Sequence, residues 1–286
     1  SEANKTALKR LQKLLMKKIL QDLSFEELEN LILSLGEKKF RAEQLHKGLT
    51  LGKKISQINI SPALRSKLLE EYEDEPIKII KTFRSSDGTE KYLFALADGN
   101  VIEGVLMKYK YGNTQCVSTQ VGCRMGCRFC ASTLGGLERN LTPSEMLDQI
   151  YAIARDTKER VSNVVVMGTG EPLDNYDNLL RFLQLISDEN GLHISQRNIT
   201  VSTCGIVENI RRLADEKLQI TLALSLHGAT QEKRQELMPV AKKYALEEVI
   251  DACRYYFDQT GRRITFEYSL VNGVNDTEAD AETLCR

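Results

Sequence analysis

The sequence predicts an α/β protein: a parallel sheet closing toward a barrel, preceded by a helical module and a short antiparallel segment. Three observations predict it. Apolar residues recur at helical spacing through residues 16–75 and with period two from Ile77 to Met107. From Thr114 onward, short β-rich runs alternate with amphipathic helical stretches, the pattern of a parallel sheet.

In the first region Phe25, Leu28, Leu31, Ile32 and Leu35 fall on one helical face, with Ser24 before Glu26 and Glu27 as an N-cap. Gly36 stops that helix, Phe40 to Leu45 begins a second, and Ser61-Pro62 opens a third. The division read here is a helical module at 1–75, a meander at 76–112 and a barrel at 113–286. In the meander, Ser86-Asp87-Gly88 and Asp98-Gly99-Asn100 are turns between β-rich runs. In the barrel, strands are expected at Gln115–Ser118, Val164–Met167, Asn198–Ser202, Ile220–Leu226 and Ile264–Leu270. The helices between them are expected at Pro143–Ala154, Tyr176–Ser187, Val207–Ala214, Gln231–Leu237 and Leu246–Gln259. A last helix begins near Asp276, and a barrel of this kind wants a further strand, so a C-terminal truncation is expected.

Hydrophobic residues make up 42% and charged residues 28%, the balance of an ordinary globular chain. No apolar run is long enough to span a bilayer and no secretory signal is visible, so a cytoplasmic protein with no membrane partner is expected. The opening residues, with Lys5, Lys9, Arg10, Lys13, Lys17 and Lys18 among leucines, read as a basic helix. Met16 is an alternative natural start. The net charge of −1 gives no global field for nucleic acid, so RNA contact would need local patches such as Lys38, Lys39 and Arg41, or Arg211 and Arg212.

Seven cysteines are too few for a disulfide scaffold in a chain this long, yet three of them crowd into eight residues: Cys123, Cys127 and Cys130. The spacing C-x3-C-x2-C follows a strand. Four thiolates saturate a four-iron cubane, whereas three leave one iron open to chelate a small molecule. A zinc site would want a fourth ligand, and the three histidines, His46, His193 and His227, all lie far off in sequence. Next, Gly168-Thr169-Gly170-Glu171-Pro172 follows the apolar strand Val164-Val165-Val166. Its glycines let backbone approach a ligand, and Glu171 is placed to hold an ammonium group. Ser202 and the Ser225-Leu226-His227 run end two later strands, on the rim where parallel barrels keep their working residues. Taken alone, His227 would read as a buried, satisfied histidine.

The cysteine segment resembles the signature of the radical S-adenosylmethionine (SAM) superfamily. That resemblance implies a [4Fe-4S] cluster whose open iron takes the amino and carboxylate groups of SAM, which one electron splits into methionine and a deoxyadenosyl radical. It places Gly170 and Glu171 at the cofactor's amino group and makes Ser202, Ser225, Leu226 and His227 cofactor-binding.

Further segments resemble the rRNA adenine methyltransferases of the RlmN/Cfr family. They are Cys116-Val117-Ser118-Thr119-Gln120-Val121-Gly122-Cys123, Arg139-Asn140-Leu141-Thr142, Gly168 to Leu173, Ser225-Leu226-His227, Val271 to Asp276, and Gly36 to Ala42 among the N-terminal helices. The resemblance runs from about residue 16 to the end. It implies methylation of adenosine C2 in 23S rRNA and in tRNA through a methyl-cysteine, with C8 methylation of the Cfr type as the alternative. It implies that Glu103 is the proton acceptor and Cys116 the resolving cysteine. It also implies an electron donor such as flavodoxin or ferredoxin, and a monomer. The sequence departs from the family in lacking the glycine-flanked Ala-Cys-Gly segment of the methyl-carrying cysteine and a late cofactor-binding Asn. Cys285 sits mid-helix and is rejected for the carrier role, and Cys204 and Cys253 read as structural. The expectation is therefore a chain that assembles the cluster without completing methylation.

Overall fold

The computed structural model describes residues 17–75 and 77–285. The expectations for residues 1–15 and for Met16 as a start lie outside them. In the first region, helix α1 spans Phe25–Ser34, α2 Phe40–Thr50 and α3 Pro62–Glu71. Ser24 closes a capping box: its Oγ accepts from the Glu27 N–H at 3.2 Å, and Glu27 accepts from the Ser24 N–H at 2.7 Å. Gly36, at φ +78°, ends the turn that follows α1, a conformation glycine adopts freely. Ser61 caps α3 through the Leu64 N–H at 3.2 Å, with Pro62 in the first turn. The inward faces of these helices share a core of their own, with Leu28, Ile32, Leu45, Leu64 and Leu68 buried together.

Strands β1 (Ile77–Arg84), β2 (Glu90–Leu96), β3 (Val101–Tyr109) and β4 (Gly112–Cys116) run antiparallel in order. Gly88 and Gly99 adopt positive φ at the two Asp-Gly turns, where Asp87 and Asp98 each accept a backbone N–H two residues on. β4 then pairs in parallel with β7 (Val161–Val166), which is followed by β8 (Ile199–Thr203), β9 (Thr221–Ser225) and β10 (Ile264–Glu267). The result is one eight-stranded open sheet in the order β1-β2-β3-β4-β7-β8-β9-β10. The meander therefore extends the parallel sheet, with β4 as the hinge strand between the two pairings.

The crossover helices are α4 (Pro143–Thr157), α5 (Tyr176–Ser187), α6 (Val207–Asp215), α7 (Gln231–Leu237) and α8 (Leu246–Thr260), with α9 (Glu278–Cys285) last. Their apolar faces bury the sheet's residues in the main core, which includes Phe94, Ile150, Val164, Phe182, Val201, Leu213 and Leu222. α4 is buried from Pro143 to Ile153 because the N-terminal region covers its outer side. Asp22 accepts the Ser144 N–H at 2.8 Å, and Arg155 donates to the Gly52 carbonyl at 2.9 Å. A two-stranded ribbon, β5 (Gln120–Gly122) with β6 (Leu137–Asn140), was not foreseen. It clasps both ends of the cysteine loop.

Candidate active site

The loop carrying Cys123, Cys127 and Cys130 is closed at its base by the Cys123 N–H donating to the Gly136 carbonyl at 3.0 Å. A side chain at Gly122, which sits at φ +75°, would strike that same carbonyl, so glycine is required for the ribbon to close. The Thr133 hydroxyl donates to the Cys130 carbonyl at 2.9 Å, and the Arg128 N–H to the Leu237 carbonyl at 2.9 Å, which pins the loop against α7.

The turn after β7 packs directly onto residues 118–120. A Cβ at Gly168 would lie 2.6 Å from Ser118 Oγ, and one at Gly170 2.6 Å from Gln120 Cβ. Gly170 is at φ +107° as well. Ser118 Oγ donates to the Glu103 carbonyl at 2.6 Å and accepts the Thr169 N–H at 2.9 Å. Gln120 accepts the Glu171 N–H at 2.8 Å. These contacts fix Glu171 in a buried position, where it accepts from the Thr203 hydroxyl at 2.8 Å, the Cys204 N–H at 2.8 Å and the Leu173 N–H at 3.0 Å. Burial pushes its carboxyl above the ordinary range, against these hydrogen bonds, which favour the charged form.

At the ends of β8, β9 and β10 three polar side chains meet. Ser202 donates to Glu267 Oε2 at 2.5 Å, Ser225 donates to the same oxygen at 3.1 Å, and the two hydroxyls lie 3.2 Å apart. The parallel register makes this meeting, since Glu267 lies opposite Ser225. Glu267 was not anticipated from the sequence, where it is a lone carboxylate ending the run Ile264-Thr265-Phe266. His227 is buried, at φ +53°. Its Nδ1 accepts the Ser269 N–H at 3.0 Å, and its ring meets Phe129 edge-on with centroids 4.8 Å apart. Burial lowers its pKa, with Glu267 opposing, and an Nδ1 that accepts leaves the ring proton to Nε2.

A cavity of about 240 Å³ gathers Cys123, Cys127, Cys130, Gly170, Glu171, Ser202, Ser225, His227 and Glu267 on one rim. Leu226 is not among its walls: its side chain packs against Tyr244 and Val249. Cys116 ends β4 beside Met167, whose backbone lies within hydrogen-bond reach of the sulfur and whose side chain lines the cavity. Burial, ahead of the nearby Glu103 and Glu267 charges, pushes the Cys116 thiol to about 11. Glu103 on β3 is ion-paired with Lys91 and partly exposed.

The model of the radical SAM superfamily matches residues 117–284. A protein of Lachnospira eligens named as a probable dual-specificity RNA methyltransferase RlmN is 58% identical over 93% of this chain and 77% of its own. A like-named protein of Lachnoclostridium phytofermentans is 57% identical over 92% and 75%. The crystal structure of a radical SAM methyltransferase from Sphaerobacter thermophilus superposes with a TM-score of 0.89, at 41% identity over 93% of this chain and 80% of that one. The chain is a radical SAM methyltransferase of the RlmN family. It spans about three quarters of those curated relatives.

Enzymes of this superfamily use a [4Fe-4S] cluster and SAM. The residues present fit both. Three thiols line one cavity with Glu171, with no histidine among the loop's own residues, the three-cysteine ligation that leaves one iron of a cubane open. Burial pushes Cys123 to about 11 and Cys127 to about 12, with neighbouring thiols and Glu171 adding to it. Iron is what makes such sulfurs thiolate. Among the described residues no helix is long and apolar enough to cross a membrane.

Proposed function

We propose that the enzyme to which this sequence belongs methylates C2 of an adenosine in 23S rRNA, and of an adenosine in tRNA, through a methyl-cysteine. None of the seven cysteines here takes the carrier role, and this chain by itself is expected to assemble the cluster without completing methylation. The observation that carries the reading is the shared rim: three thiols and a buried carboxylate face one cavity, with Cys116 beside it, in a chain whose relatives are named dual-specificity RNA methyltransferases. Adenine C2 is not nucleophilic, so an ordinary polar methyl transfer fails there. When bound, the cluster supplies the single electron that turns SAM into a hydrogen-abstracting reagent.

The chain's own residues have distinct tasks in this reading. Cys123, Cys127 and Cys130 hold iron. Glu171, whose Oε1 accepts from two donors and Oε2 from one, offers its remaining acceptor capacity to the cofactor's ammonium, and Gly170 lets backbone approach it. Ser202, Ser225 and Glu267 face the rest of the cofactor, His227 forms the wall beside them, and Leu226, one step back, holds the strand end through its N–H to the Glu267 carbonyl. Glu103 accepts a proton from the adduct. Cys116, as thiolate, would attack the carrier sulfur: the disulfide bond forms as the sulfur–carbon bond to the nucleobase adduct breaks, and that bond's electron pair stays on carbon, which takes up a proton to become the methyl group.

The separate core of the helices at 17–75 supports reading residues 1–75 as an RNA-docking module, with 76–112 and 113–286 forming the sheet. A flavodoxin or ferredoxin would deliver the electron, in the cytoplasm, to a monomer.

Deleting the gene and analysing nucleosides by mass spectrometry tests the reading. Loss of 2-methyladenosine from both 23S rRNA and tRNA is expected. Loss of 8-methyladenosine instead would establish the Cfr-type reaction, and an unchanged nucleoside profile would refute an RNA substrate.

A further inference from the structure

Arg234, on α7, is the bulkiest of the fully buried side chains, with no accessible surface. The only hydrogen bond of its side chain among the described residues runs from Nη2 to the Cys204 carbonyl at 2.5 Å, while Nε and Nη1 have no partner. Among the described residues it forms no ion pair with a carboxylate. Burial opposes its charge, and among the groups close enough to act on it are the sulfurs of Cys204, Cys127 and Cys253. A buried guanidinium with two idle nitrogens needs an anion nearby.

The fold brings the cysteine loop to it. Cys127 packs with Cys204, Leu237 and Met238, and the Arg128 N–H is bonded to the Leu237 carbonyl, one turn beyond Arg234. Arg234 therefore stands beside the cysteine loop, one helical turn before the carbonyl that pins it. An iron–sulfur core on three thiolates is anionic, and more so once reduced.

We propose that Arg234 is the buried counter-charge of the iron–sulfur cluster, a positioning residue that holds its potential up and makes it reducible. This rests on the reading of Cys123, Cys127 and Cys130 as cluster ligands. The reduced cluster carries the larger negative charge, so a fixed positive charge beside Cys127 favours reduction. In the metal-free protein the same charge has no partner and destabilises the fold.

The test is an anaerobic redox titration of the reconstituted full chain, followed by electron paramagnetic resonance in the absence of SAM. Arg234→Met and Arg234→Gln should lower the reduced-to-oxidised ratio at least tenfold at a given potential, a shift of 59 mV or more to the negative. Arg234→Lys should stay near wild type. Thermal unfolding supplies a second reading, with Arg234→Met expected to stabilise the metal-free protein. Unchanged potentials in Met and Gln variants, with metal-free stability lost, would make Arg234 a mere anchor of the Cys204 carbonyl and overturn the proposal. Unchanged potentials with weakened SAM binding would overturn it too, assigning the charge to the cofactor's carboxylate. If the Met variant holds no iron, Arg234→Lys decides: normal iron and potential support the proposal, and loss of the cluster despite a retained charge overturns it. A wild-type chain that assembles no cluster would instead sink the cluster reading itself.

Discussion

Glu171 shows how one side chain is bound from several directions at once. Three donors hold it inside the protein, and its charged form is costly until a cation arrives. Glu171→Gln should weaken SAM binding at least tenfold, on the order of 1.5–3 kcal/mol for a hydrogen bond to a charged group. Its iron content should match wild type; equal affinity in a calorimetric titration would remove Glu171 from the cofactor site. Cys116 gives a second residue-scale prediction. With its thiol pushed to about 11, alkylation of the metal-free protein at pH 8 should be slow and should accelerate with pH. Glu103 adds to that upward shift, so Glu103→Gln should speed alkylation of Cys116, read by peptide mass mapping; an unchanged rate would separate the two residues electrostatically. Both were visible in the sequence only through resemblance. Glu267 was invisible even so, because its importance comes from strand register: β10 lies in parallel against β9, which sets Glu267 opposite Ser225. No spacing along the chain encodes that adjacency.

At the scale of elements, what was legible followed the strength of local signals. α5 and α7 begin and end where periodicity placed them, Tyr176–Ser187 and Gln231–Leu237. α4 starts at the predicted Pro143 because Thr142 and Glu145 close a capping box, which Arg139 reinforces by gripping Glu145 at 2.8 Å and Asp98 at 2.6 Å. The ribbon of β5 and β6 escaped notice, since strands of three and four residues carry too little pattern. α4 also holds a titratable joint. Asp148 is buried, 3.4 Å from Arg155, with Oδ2 unpartnered, and burial raises its pKa to about 6. The folded state then binds a proton that the unfolded state, near 3.8, does not. Stability from this group is therefore present at low pH and lost as pH rises from about 4 to about 6, on the order of 3 kcal/mol. Asp148→Asn should flatten that stretch of the stability curve in urea unfolding and be the more stable protein at pH 8. A wild-type-like slope between pH 4 and 6 would place the titration elsewhere.

For the whole molecule, the net charge of −1 leaves RNA binding to local arrangement. The structure sorts the two basic patches differently. On α6, Arg211 lies over the Tyr255 ring, and Arg212 lies 3.9 Å above Tyr176 while bonding Asp177, so both cations are engaged by the protein itself. At the start of α2, Lys38 is exposed and forms no ion pair among the described residues, and Arg41 donates to Gln44 at 2.7 Å and lies over Phe40, a ring 45% exposed where Tyr255 under Arg211 is half-buried. Lys39 is tied to Glu29 at 3.0 Å. An exposed ring flanked by such cations is the surface that stacks a base and neutralises phosphate. If the helical module docks RNA, the double substitution Lys38→Ala with Arg41→Ala should weaken binding of an rRNA hairpin. It should also flatten the dependence of log K on log salt by ~1.5, since each phosphate left without its cation takes ~0.7–0.9 from the slope. The matching double substitution Arg211→Ala with Arg212→Ala should leave that slope unchanged. The slope decides between specific contact and general charge: two added neutral residues acting only through net charge would lower affinity equally from either patch. If the α6 substitution moves the slope and the N-terminal pair does not, the RNA approaches across α6, and the helices at 17–75 serve to cover α4.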